Sequence, residues 1–113
     1  MSDCIFCKIV KGEIPCTKVY EDEHVLAFDD ISPMAPAHVI IVPKKHLATL
    51  MDMDAKDDLA GLLMFAAQKV AQVKGIAVRG FRSVINCNAE GGQVVFHLHM
   101  HILGGRKLQD QMG

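Results

Sequence analysis

The chain reads as α+β, with a mainly antiparallel sheet, one long helix and a short N-terminal helix. Apolar runs of strand length lie on both sides of a single long stretch with helical periodicity. Phe96-His97-Leu98-His99-Met100-His101-Ile102-Leu103 alternates strictly with period two, as a half-buried strand does. The order helix, strands, long helix, strands groups the strands instead of alternating them with helices, which favours antiparallel pairing.

Residues 5–11 are expected to form the short helix, with Ile5, Phe6, Ile9 and Val10 on its apolar face before Gly12. Val19–Glu21 and His24–Phe28 follow as two strands joined at the acidic turn Asp22-Glu23. Residues 29–36 carry Pro33 and Pro36 and make an irregular crossing. Val39-Ile40-Ile41-Val42 is continuously apolar and β-branched, which suits a mid-sheet strand that Pro43 ends. The long helix is expected from about Ala55 to Lys74, capped by Asp54, with Asp57 and Asp58 in its first turn. Leu59, Leu62, Leu63, Ala66, Val70 and Val73 mark its buried face, and Lys74-Gly75 closes it. Met64 and Phe65 extend the apolar surface toward a second packing partner. A strand at about Phe81–Asn86, a loop with Gly91-Gly92 and the histidine strand complete the order, and Gly104-Gly105-Arg106 ends it.

With 113 residues the chain makes one domain, residues 1–113, able to bury roughly two-thirds of its unfolded surface. A net charge of −1 and scattered cations (Lys44, Lys45, Arg79, Arg82, Lys107) argue against nucleic acid or an acidic membrane as partner. No apolar run approaches the ~20 residues of a membrane span. Met1-Ser2-Asp3-Cys4 lacks the basic start of a secretion signal, so a cytoplasmic location is expected. Of the four cysteines, Cys16 and Cys87 read as small packing residues. His24 reads as a surface hairpin residue and the seven methionines as adaptable packing.

Three imidazoles on one face can supply a nucleophile, a hydrogen-bond donor or a metal ligand. A single zinc on all three is ruled out by reach: His97 and His101 lie roughly 13 Å apart along a strand, whereas ligand bonds are near 2 Å. Cys4-Ile5-Phe6-Cys7 has the spacing of half a zinc site, which needs two further ligands, with His46 and His97 as candidates; the alternative is two free thiols on a short helix.

The histidine strand, Gly91-Gly92-Gln93 before it and Leu103-Gly104-Gly105-Arg106 after it resemble the histidine triad family, and within it the small nucleoside phosphoramidase branch. Ile5-Phe6, Glu13-Ile14-Pro15, Asp30-Ile31-Ser32-Pro33, His38, Pro43-Lys44-Lys45-His46 and Asn86 fall in the same order as in that family. The resemblance implies a homodimer whose two sheets join into one, and hydrolysis of a purine nucleoside 5′-phosphoramidate. It implies that the central His99 attacks phosphorus and carries the nucleotidyl group, with His101 donating to a non-bridging oxygen, His97 orienting the site and His38 joining the proton network. Longer members cleave dinucleoside polyphosphates, and a nucleotide-binding regulator without catalysis is the further alternative. Some relatives bind zinc through the cysteine pair with both histidines, which would make Cys4, Cys7, His46 and His97 a structural site and leave the chemistry free of cofactors.

Around the substrate, Asp30 is assigned to the ribose hydroxyls, with a turn cap as the bland alternative. Asn86 and Gln93 could offer side-chain amides to phosphate, and Gly92 a backbone N–H, although a glycine pair also makes an ordinary turn. Ile5, Phe6, Ile9, Phe28, Ile31 and Ile40 match the apolar positions around the base, or serve as plain core. Val94 stands where many relatives have serine, which removes one hydroxyl from the site.

Overall fold

Strand β3 (Ala37–Pro43) is buried along its whole length, and the rest of the fold is arranged to cover it. In the computed structural model, which describes residues 3–113, it is the middle strand of a five-stranded sheet ordered β1-β2-β3-β5-β4. The others are β1 (Lys18–Glu21), β2 (Val25–Asp29), β4 (Phe81–Val84) and β5 (Met100–Gly104), and every pairing is antiparallel. Met1 and Ser2, part of the stretch read for a secretion signal, lie outside the described residues. No helix among the described residues is long and apolar enough to cross a membrane.

The period of two divides β3 between two layers. Val39 and Ile41 join Val25, Ala27, Met100 and Ile102 beneath the long helix α2 (Leu59–Lys74). Ile40 and Val42 join Leu26 and Phe28 on the opposite face, beneath the short helix α1 (Ile5–Val10), whose Phe6 plugs that cluster. His38 alternates onto this second face, and His101 lies directly across from Ile40 on it. A six-residue helix covers only part of a five-stranded sheet. The histidines occupy the remainder.

Local chemistry sets the boundaries. Asp22 closes the β1–β2 hairpin by accepting from the backbone N–H groups of His24 and Val25 and from the Tyr20 hydroxyl. β3 continues through Pro43, opposite Val25, because the last position of a strand tolerates a missing N–H. Helix α2 begins at Leu59, later than the expected Ala55. Asp54 accepts from the Lys56 N–H and Asp57 from the Leu59 N–H, so these aspartates build turns and Asp58 takes the cap position without a side-chain bond. The sheet buries the side of α2 that carries Ala67 and Ala71, which leaves Val73 exposed with Met64 and Phe65. Gly75 ends α2 in the left-handed conformation.

The histidine segment departs most from expectation. β5 starts at Met100, so only His101 lies within a strand. The ladder with β3 stops at Ile41–Met100, and Pro43 beyond it has no N–H to extend it. Leu98 donates instead to the Leu47 carbonyl at 2.7 Å. The same truncation ends β4 at Val84, short of the expected Asn86, because the pairing runs out at Val84–His101. Phe96, which shares the apolar side of the alternation with the buried Leu98, is 47% exposed.

Gly105, at φ +95°, turns the chain out of β5, and a Cβ there would lie 2.8 Å from Pro36 Cβ. Gly105→Ala is expected to cost about 1–3 kcal/mol of stability, read as a lower urea midpoint with unchanged slope; an unchanged midpoint would contradict that.

Candidate active site

Two clusters of side chains meet at His97–His101, and the backbone between them decides which ring does what. The first cluster centres on His97, which is fully buried. Its Nε2–H donates to the Pro43 carbonyl at 2.8 Å, and since a carbonyl can only accept, Nδ1 keeps its lone pair. That lone pair faces Cys4 Sγ at 3.3 Å, Cys7 Sγ at 3.6 Å and His46 Nδ1 at 3.1 Å, and Cys7 Sγ lies 3.3 Å from His46 Nδ1. Cys4 is the N-cap of α1 and accepts from the Cys7 N–H, which brings both thiols to the same end of the helix. The four ligand atoms all lie within 4.8 Å of one another. Tetrahedral bonds of 2.0–2.3 Å place ligand atoms roughly 3.3–3.8 Å apart, so two thiols and two imidazoles here could hold a metal ion. Burial and the neighbouring Cys4 push the Cys7 thiol pKa up, so a metal would have to displace its proton.

The second cluster has three rings, two of them joined in a relay. Met34 N–H donates to His38 Nδ1 at 3.0 Å, which leaves the His38 proton on Nε2. That proton points at His101 Nδ1, 2.9 Å away, so the neutral His101 ring carries its own proton on Nε2. Asp30 Oδ2 lies 3.4 Å from His38 Nε2 and favours this arrangement. His99 donates Nδ1–H to the His97 carbonyl at 2.7 Å, which leaves Nε2 as a free lone pair. Phe6 and His101 pack edge-on to the His99 ring, each with centroids 5.0 Å apart. One face of the sheet thus presents a lone pair at residue 99 beside an N–H at residue 101.

A cavity of about 160 Å³ opens beside the relay, lined by Met34, His38, Val84, Asn86, His101 and Leu103. A larger hollow of about 410 Å³ near Arg79 and Arg106 contains no histidine, and the chemistry of the rings marks the smaller one as the site.

The chain matches the HIT domain family over residues 11–108. The chain belongs to the HIT domain family. It is 47% identical over 107 residues to the purine nucleoside phosphoramidase of Escherichia coli (strain K12), covering 94% of this chain and 90% of that protein. A histidine triad protein from Clostridium difficile superposes with a TM-score of 0.95 at 50% identity, covering 99% of this chain and 98% of that one. A HIT family hydrolase from Legionella pneumophila does so with a TM-score of 0.94 at 48% identity, covering 98% and 100%. This HIT domain is a hydrolase of that family, homologous to the phosphoramidase.

Not every residue singled out in the sequence faces the HIT site. The His97 ring turns toward the cysteines, and its carbonyl is the part it offers to His99. Gln93 is buried and spent: Oε1 accepts from Asn88 N–H, and Nε2 donates to the Ala48 and Val95 carbonyls. It braces the loop and has no amide left for phosphate. Gly92 N–H is likewise committed to the Ala89 carbonyl, and the residue is needed for its φ of +82°. Gly91 leaves no room for a side chain, since a Cβ would fall 2.4 Å from the Cys87 carbonyl oxygen. Asn86 donates one N–H to the Gly91 carbonyl and lines the cavity. Asp30 does accept from Ser32 N–H as a turn cap, through Oδ1, while Oδ2 faces His38.

Phe6, Phe28 and Ile40 are buried in the cluster beneath α1, and Ile9 packs against it. Ile5 is exposed on α1, and Ile31 is 98% exposed beside Asp30 in the chain, so neither is core. Sequence reasoning missed Met34 and Pro43, which set ring tautomers through backbone atoms, and Val84 and Leu103, which wall the cavity.

Burial pushes the His101 pKa down to about 4, with His99 and His38 opposing a further positive charge and Asp30 working the other way. The unfolded ring binds a proton near 6.5, the folded ring only near 4, so the unfolded chain binds more protons between those values. Stability is therefore expected to fall as the pH drops from about 6.5 toward about 4. Urea unfolding across that window should show a shallower slope in His101→Gln; an equal slope would contradict the assignment.

Proposed function

We propose that this HIT domain hydrolyses purine nucleoside 5′-phosphoramidates through a covalent nucleotidyl intermediate on His99. The observation that carries the reading is the His99 tautomer: Nδ1–H is held by the His97 carbonyl, so Nε2 meets phosphorus as a lone pair without prior deprotonation. In the first step the His99 Nε2–P bond forms as the P–N bond breaks, and the amine leaves with a proton taken from solvent water while His38 holds His101 in place. In the second, water attacks phosphorus, its proton passes back to solvent, and the nucleoside monophosphate and neutral His99 are released. His101 Nε2–H serves a non-bridging oxygen as charge grows there. The phosphoramidase of Escherichia coli supports the substrate class.

Asp30 Oδ2 is proposed for the ribose hydroxyls, Asn86 for the phosphate side, and Ile5, Ile9, Ile31, Phe6, Phe28 and Ile40 for the purine. An aliphatic and aromatic sandwich discriminates little between bases. Val94 is 87% exposed and brings no hydroxyl to the leaving amine. Zinc is the ion we assign to Cys4, Cys7, His46 and His97, on their two thiols and two imidazoles. When bound it would brace α1 against the segment before β5 and take no part in bond making.

A homodimer completes the reading. β4 is an edge strand with a free side, and Met64, Phe65, Val73, Val78 and Phe81 form exposed apolar surface on α2, the α2–β4 connection and β4 itself. Joining two β4 edges would make one continuous sheet.

His99→Ala is expected to lower hydrolysis of an adenosine 5′-phosphoramidate by on the order of 10⁴-fold or more, with AMP binding retained. Acid-free quenching of wild type during turnover should trap the nucleotidyl group on the peptide containing His99. Activity retained in the variant, or AMP bound tightly by a wild type that cleaves no phosphoramidate, would overturn the proposal.

A further inference from the structure

We infer that the metal site positions the nucleophile: an ion held by Cys4, Cys7, His46 and His97 fixes the orientation of His99 through the His97 carbonyl and through Phe6. The inference rests on the reading of His99 as nucleophile. It assigns the metal a role in the rate without placing it near substrate.

The first link is the main chain. Residues 96–99 lie outside any strand, and β5 begins only at Met100. Leu98 is buried in the core, and the polar anchors of this segment are the Leu98 N–H bond to Leu47 and the two ring nitrogens of His97, one on Pro43 and one on the cysteine cluster. An ion at the cluster therefore anchors the residue whose carbonyl accepts from His99 Nδ1–H at 2.7 Å. Losing that anchor loosens the carbonyl, and with it the one bond among the described residues that selects the Nδ1–H tautomer.

The second link is Phe6, which lies between the two cysteine ligands in sequence. Its ring meets His99 at 87° with centroids 5.0 Å apart, His97 at 5.9 Å and Phe28 at 5.7 Å. Helix α1 has six residues, well below the ~12–15 at which a helix is even marginal alone. Anchored at its N-cap and in its first turn, α1 holds Phe6 against the His99 ring. Unanchored, it loses that contact. A mere brace would change stability and leave the imidazole at residue 99 as it was.

The test uses ¹⁵N-labelled protein with one equivalent of zinc and after chelation, reading His99 Nδ1 and Nε2 shifts and the single-turnover rate of nucleotidyl transfer. Zinc-loaded wild type should show one Nδ1–H tautomer. Stripped protein should show averaged shifts and a transfer rate lower by about tenfold or more, a larger loss than that in AMP affinity. His46→Gln removes an exposed ligand and should reproduce the stripped state at zinc levels that saturate wild type. Phe6→Leu should bind zinc as wild type does, yet show averaged His99 shifts and slower transfer. Identical His99 shifts with and without zinc, or no zinc binding at all, would overturn the inference. If no form cleaves a phosphoramidate, the proposed function fails, while the His99 shifts still decide the positioning claim.

Discussion

The bond from His99 Nδ1–H to the carbonyl two residues earlier is the constraint on which the site depends. It selects one of two tautomers and so decides whether the outward nitrogen is a nucleophile or a donor. A second chain of bonds, from Met34 N–H through His38 to His101, gives the adjacent ring the opposite polarity. Two chemically identical side chains thus present a lone pair and an N–H side by side. The difference between them comes from backbone atoms, and the fold exists in large part to hold those atoms still.

Much of that fold was legible in the pattern of residues. The unbroken apolar run at Val39–Val42 marked a strand covered on both faces, and it is the central one. The Asp22-Glu23 turn, Lys74-Gly75 and the order of elements also read correctly, because each rests on local backbone chemistry. The errors fall where tertiary pairing overrides local pattern, or where one local motif competes with another. Phe96–Leu103 alternates perfectly, yet its first half finds no ladder partner past Ile41, since Pro43 has no N–H to offer. A run of aspartates favoured turns over an earlier start to α2.

The same distinction runs through the site. Residue types announced chemistry: Cys4, Cys7, His46 and His97 converge as their spacing and family resemblance implied, and His38 meets His101. What the residue types could not show is which group each atom already serves. Gln93 and Gly92 look available for phosphate in the sequence and are fully engaged in the loop. His97 looks like a catalytic peer of His99, yet both its nitrogens are occupied elsewhere. Met34 and Pro43 act through a main-chain N–H and a carbonyl that every residue type shares, or nearly so, and leave no mark in a sequence.

A crystal structure with a non-hydrolysable adenosine 5′-phosphoramidate analogue tests the central claim most directly. The account predicts phosphorus about 3–3.5 Å from His99 Nε2, with the amine opposite that nitrogen and a non-bridging oxygen on His101 Nε2. Phosphorus lodged elsewhere, such as in the hollow between Arg79 and Arg106, or a His99 that turns Nδ1 toward it, would contradict the account.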